Sequence, residues 1–266
     1  MMASPWIAAL FALFAWWFFT GLILLIVRKS DGGAAVAHGR SVVLTVPFLA
    51  LGFAGLVVSS GDLTLNQVYM SFISALLIWG WIELAFLAGI ITGPERRPCP
   101  GNMTGYPRFI RAFNTVAYHE LLLLAALLLT LLICVGAANT VGMWTFVILF
   151  AARISAKLNL FFGVPRINTE FVPKPLQHLK SYFRQGPITA AFPVGITFLS
   201  ISAACFAERL ITAQTTEATV GFALLTALAT LATIEHWLMV IPLPDAKLWR
   251  WMLPAPTTTE GKSHEL

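Results

Sequence analysis

Apolar residues in this chain come in nearly unbroken runs of about 20, not in the alternating pattern of half-buried strands, and runs of that length match the hydrocarbon thickness of a bilayer. They fall at about 6–27, 42–59, 68–91, 111–136, 139–162, 188–208 and 218–241. The pattern predicts an all-α polytopic membrane protein with seven transmembrane helices, forming one membrane domain over 1–245 with a cytoplasmic tail over 246–266. The first run, Trp6 to Val27, has no charged segment before it, is too long for a signal-peptide core and ends in Arg28-Lys29. It reads as a retained helix.

Between the fifth and sixth runs the pattern changes. Segment 163–186 is polar, with Leu176, Leu179 and Phe183 at helical spacing, Gln177, Lys180 and Arg184 on other faces, and Pro175 at a first-turn position. This spacing predicts a short helix lying on the cytoplasmic membrane surface. Arg166, Glu170, Lys174, Lys180 and Arg184 are its candidate residues for docking a partner or anionic lipid. The plainer alternative is a connector whose long side chains snorkel to the interface.

Charge orients the helices. Counting Arg153 and Lys157, near the end of span five, with the segment that follows it, the segments after spans one, three and five and the C-terminal tail hold 16 of the 17 lysines and arginines. By the positive-inside bias this places the N-terminus outside and the C-terminus in the cytoplasm. In the tail, Trp249 and Trp251 beside Lys247 and Arg250 fit interfacial anchors. Composition agrees: 58% of residues are hydrophobic and 11% charged, against about 25% charged in a soluble domain. The net charge of +5 lies in short loops and forms no long basic face, which argues against nucleic acid and leaves membrane lipid as the expected surroundings. Cys99, Cys134 and Cys205 share no ligand spacing and indicate neither a disulfide framework nor a zinc site.

Against this apolar background the few ionisable residues inside the runs stand out, because a charge at membrane depth costs about 2.5–3.5 kcal/mol even on insertion scales. At 1.5 Å rise per residue and measured from the cytoplasmic end of each span, Glu83 of span three lies at roughly 12 Å, His119 and Glu120 of span four at roughly 12–13 Å, Arg153 of span five at about 13 Å, and Glu235 and His236 of span seven at about 8–9 Å. Glu83, His119, Glu120, Arg153, Glu235 and His236 therefore form a predicted polar layer in the cytoplasmic half. The run from Leu121 to Gly136 nearly suffices to span, which also allows His119-Glu120 to sit at the interface.

Three readings of the layer stay open. It can fix helix packing through interhelical hydrogen bonds and an Arg153–carboxylate ion pair. It can ligate, since His119 or His236 as neutral imidazole suits a metal, including the magnesium of a chlorophyll-type pigment. It can also carry protons or ions. A membrane enzyme acting on a pigment or lipid through a metal is a further alternative, but adjacent His and Glu diverge by about 100° around a helix, unlike the Glu-x-x-His of di-iron bundles. No HExxH, GxSxG or P-loop occurs, and no catalytic residue is assigned.

Three strings carry more specific information: WIAALFALFAWWFFTGLILLIV near the N-terminus, the central RISAKLNLFFGVPRINTEFVPKPLQHLKSYF, and the late IEHWLMVIPLPDAKLWRW. They resemble the PuhE family, also called photosynthetic complex assembly protein 2, of phototrophic purple bacteria, and the resemblance covers nearly the whole chain. It implies a seven-span inner-membrane protein needed for normal assembly of the reaction centre and light-harvesting complexes. Expected partners are photosynthetic complex subunits or other assembly factors, and the implied link to bacteriochlorophyll supply makes that pigment or a precursor a candidate transient ligand. The family brings no catalytic motif.

Overall fold

The computed structural model describes residues 3–34 and 36–242. The tail assigned to 246–266, with its two tryptophans, lies outside the described residues. Seven helices are long and apolar enough to cross a membrane: α1 Pro5–Asp31, α2 Ala37–Ser60, α3 Leu65–Leu87, α4 Gly105–Cys134, α5 Val141–Phe162, α6 Ala191–Thr212 and α7 Thr216–Leu238. The described residues contain no β-strand, only one isolated bridge between Val164 and Gln185. The chain is a multi-pass helical membrane protein.

Helix ends depart from the apolar runs where capping or loop packing overrides hydropathy. Thr64 and Gln67 form a reciprocal capping box that starts α3. At its other end α3 stops at Leu87, short of Ile91, because Gly89 adopts φ +72°, a left-handed conformation that glycine takes without steric cost. Helix α4 begins at Gly105, before its apolar run, so the amphipathic stretch through Arg108 and Arg111 is helical.

Helix α3 is central, with 67% of its most apolar window buried, whereas the same measure is 6% for α6. Burial inside a bundle gives no hydrophobic gain over lipid, so close packing must hold the helices together. Small residues permit it: Ala8, Ala12 and Ala15 form a stripe along α1, which packs on α7 in a core shared with Ala223, Ala229 and Ala232. Large side chains fill the middle, where Trp79 of α3 meets Phe146 of α5 edge-on at 5.5 Å. The outward faces of α1, α2, α4 and α6 present Phe14, Leu44, Leu128 and Val194 among their exposed apolar residues, as lipid requires.

Two irregular segments close one end of the bundle. Residues after α3 run back along α4: the Glu95 amide donates to Asn114 O at 3.2 Å, and the His119 amide donates to Thr92 O at 3.0 Å. Such protein partners are what make non-helical backbone tolerable at membrane depth. Gly93 allows the approach, because a Cβ there would lie 2.8 Å from Thr115 C and 2.9 Å from Ala117 N. The second segment is a strap over Lys174–Tyr182, folded as a 3₁₀ helix. Its period of three buries Leu176, Leu179 and Tyr182 on one face, so Tyr182 takes the place that α-helical spacing gave to Phe183. Leu176 and Leu179 pack on Phe86, with Val116 alongside.

Candidate functional site

The candidate site is an ionic cluster between α3, α4 and α5. Glu83 projects from central α3 and pairs through Oε2 with Arg153 Nη2 of α5 at 2.9 Å. His119 of α4 is fully buried, and its Nε2 lies 3.5 Å from Glu83 Oε1. One turn beyond Arg153 on α5, Lys157 Nζ lies 3.0 Å from His119 Nδ1 and also pairs with Glu120 of α4. Side-chain exposure across the cluster runs from 0% at His119 to 29% at Arg153.

The His119 imidazole lies between groups of opposite charge. His119 Nδ1 lies between Lys157 Nζ at 3.0 Å, which can only donate to it, and Glu120 Oε1 at 3.3 Å, which can only accept from it, while Nε2 faces Glu83. Phe86 forms the cluster's apolar wall: its ring centroid is 4.3 Å from that of His119, 5.2 Å from Lys157 Nζ and 5.6 Å from the Arg153 guanidinium carbon. Both cations thus combine carboxylate pairing with the negative face of an aromatic ring. Two carboxylates against two cations leave these paired groups without net charge, the arrangement that makes burying ions affordable.

The remaining predicted residues lie across α5. His236 of α7 is 2% exposed, with Nε2 2.9 Å from Ser155 Oγ and Nδ1 2.8 Å from Ala232 O. It therefore joins α7 to α5 without touching His119. Glu235 is half-buried and makes no hydrogen bond or ion pair with any described residue, although the charge of Arg153 acts on it. Asn159 donates to Ser155 O at 2.9 Å and continues this second polar contact along α5. His236 has both ring nitrogens in hydrogen bonds and His119 has Nδ1 so engaged, and no group of three or more His, Cys, Asp or Glu suited to a metal occurs among the described residues.

Above the cluster sits a polar cap. Tyr182 donates to Arg97 O at 3.0 Å and accepts from Arg111 Nε at 3.1 Å, while Arg108 donates to Tyr182 O at 2.7 Å. Burial pushes the Tyr182 phenol above its ordinary value. Glu95 pairs with Arg111 at 2.9 Å. The Arg97 backbone N–H at 2.8 Å is the main cause holding the Glu95 carboxyl below its ordinary value, with the Arg111 charge adding to it. Within the segment considered for docking, Lys174 Nζ is spent on Asp31 O at 3.0 Å, and Arg166 donates to Leu238 O and Ile241 O. Glu170 and Arg184 are exposed and Lys180 is partly buried.

Lys157, Phe86, Ser155 and the Glu95–Arg111 pair were not singled out among the candidate residues. Lys157 had a readable signal, its i+4 spacing from Arg153 on one helix face. Glu95 and Ser155 had none, because long-range packing alone gives them their partners.

Seven membrane-crossing helices around a buried, charge-paired cluster define a multi-pass membrane protein with an ionic core. Over residues 2–260 the chain matches a family described as protein of unknown function (DUF3623), and it belongs to that family. It is similar to a Rhodobacter capsulatus protein described as an uncharacterized 30.4 kDa protein in the puhA 5′ region, at 48% identity over 254 residues, or 96% of this chain and 93% of the relative. No solved structure matches the chain.

Proposed function

We propose that this protein is an assembly factor for bacterial photosynthetic complexes, of the PuhE kind, working in the cytoplasmic or intracytoplasmic membrane with its N-terminus outside and its C-terminus inside. The observation that carries the reading is the relative encoded in the puhA 5′ region and similar over nearly the full length of both chains. The three strings that resemble PuhE point the same way.

The geometry supports a scaffold. The ionic cluster binds α3, α4 and α5 to one another, and the cap fixes the strap against them, so the fold presents a set arrangement of lipid-facing helices to other membrane subunits. Exposed Glu170 and Arg184, with Lys180, form the docking edge in this reading. Bacteriochlorophyll or a precursor is a transient cargo, and no resident ligand role is assigned to His119 or His236.

The test is mild-detergent purification after cross-linking in pigment-producing cells, followed by identification of the attached proteins and absorption spectroscopy. Reaction-centre or light-harvesting subunits, or other assembly factors, should be recovered with the chain. Recovery of none of these would count against the reading.

A further inference from the structure

The strap Lys174–Tyr182 and the ionic cluster share one side chain. Phe86, 3% exposed, packs on Leu176 and Leu179 of the strap, and its ring also lies against His119, Lys157 and Arg153. Within the cluster, Glu83 Oε1, His119 Nε2, Glu120 Oε2 and Arg153 Nε are buried and make no hydrogen bond with any described residue. Leaving such atoms unpaired is costly, and water could serve all four. Admitting water would therefore offset part of what the ion pairs lose in a higher dielectric. Dry and hydrated forms of the cluster are closer in free energy than the ion pairs alone would make them, and the cover over it biases the choice.

The strap is the lightly held part of that cover. Its nine residues form a 3₁₀ helix, and runs beyond three or four residues are uncommon because the hydrogen-bond geometry is poorer. Its aliphatic anchorage is small, Leu176 and Leu179 on Phe86 with Val116 alongside. The rest of its hold is polar and lies at its ends, with Lys174 on Asp31 at one and Tyr182 with Arg97, Arg108 and Arg111 at the other. Segments with few buried apolar contacts open at lower cost than the bundle beneath them.

We propose that the strap is a lid on the ionic cluster, with Phe86 as its seal. While the strap is down, the cluster is dry and its ion pairs hold α3, α4 and α5 firmly. When the strap lifts, Phe86 loses its backing, water reaches the four unpaired atoms, and the three helices loosen against one another. The device lies within this chain and rests on the contacts of Phe86, so it stands apart from the assembly reading.

Histidine modification by diethyl pyrocarbonate, a small water-borne acylating reagent, tests this on the purified full-length protein in detergent, with each site read by mass spectrometry. Three histidines report separately. His178 rides on the strap with Nε2 buried, His119 is fully buried behind Phe86, and His236, 2% exposed, lies across α5 on Ser155. In the native protein His119 and His236 should both react far more slowly than free histidine. Gly89→Ala lifts the strap, because a Cβ there would run into the Pro175 ring. Labelling of His178 and His119 should then rise about tenfold while His236 stays slow. Tyr182→Phe, which removes only the hydroxyl bonds to Arg97 O and Arg111, should act in the same direction more weakly and covers the case in which Gly89→Ala does not fold. A rise at His178 with His119 unchanged would show a strap that moves without opening the cluster, and an equal rise at His119 and His236 would show general loosening. Either result, fast labelling of His119 in the native protein, or no rise in either variant would overturn the proposal.

Discussion

Replacing Gly93 with alanine tests how the loop after α3 supports the cluster. The added methyl would run into the Asn114 carbonyl and lie 2.8 and 2.9 Å from backbone atoms of Thr115 and Ala117. All three neighbours are main chain within α4, so none can turn aside as a flexible side chain would. Overpacking of this kind costs about 1–3 kcal/mol. The loop must move away from α4, which breaks the His119 N to Thr92 O bond of 3.0 Å and adds about 1 kcal/mol. The expected loss is therefore about 2–4 kcal/mol, with the Glu95 amide bond to Asn114 lost as well. Thermal or denaturant unfolding in detergent measures it. Gly101→Ala is the matched control, since a Cβ there meets nothing within 4 Å, and surface substitutions of that kind stay within about 0.5 kcal/mol. Equal stability of the two variants would refute the close approach of this loop to α4.

Other elements make separate predictions. Glu83→Ala leaves Arg153 buried without its partner and should cost about 3–5 kcal/mol; the double variant Glu83→Ala/Arg153→Ala should cost less than the sum of the singles, and strict additivity in the cycle would show the pair to be uncoupled. Gly195→Ala puts a methyl against Ser155, so unfolding should report lower stability, and removing the obstruction with Ser155→Ala should restore part of it. The Glu95 carboxyl is depressed from its ordinary 4.5, so its contribution is complete above that value and is lost as pH falls below it. Protection of the Arg97 amide from hydrogen exchange, taken relative to its intrinsic rate at each pH, should fall on acidification through that range in the native protein and not in Glu95→Gln. Orientation is testable at Cys99: an impermeant thiol reagent should label it in inverted membranes and not in sealed spheroplasts, and the opposite result would reverse the topology.

The seven helices were legible because an apolar run of bilayer length has few alternatives, and their ends were less so because ends depend on local chemistry. Glycine at position 89 and the loop beyond it stop α3 at Leu87, although the following residues remain apolar. The amphipathic start of α4 had the opposite effect. Hydropathy began the span near Arg111, which allowed His119 at the interface, but helix from Gly105 puts His119 at the middle of a 30-residue helix. The strap was visible as a helix but not as a 3₁₀ helix, since spacing of three fits both periods over Leu176 and Leu179. Depth along each span placed Glu83, His119, Glu120 and Arg153 at similar levels; only packing decides that these four meet, that Lys157 completes them, and that His236 turns to Ser155. One sequence carries depth, but azimuth around each helix depends on neighbours that it does not name.

The central claim is tested most directly in a photosynthetic host lacking this gene and carrying either the native chain or Glu83→Gln, with chain levels equalised by immunoblot, by measuring reaction-centre and light-harvesting absorbance in isolated membranes. The account predicts low absorbance without the chain, restoration by the native chain, and only partial restoration by Glu83→Gln. Normal absorbance without any copy of the gene would contradict it.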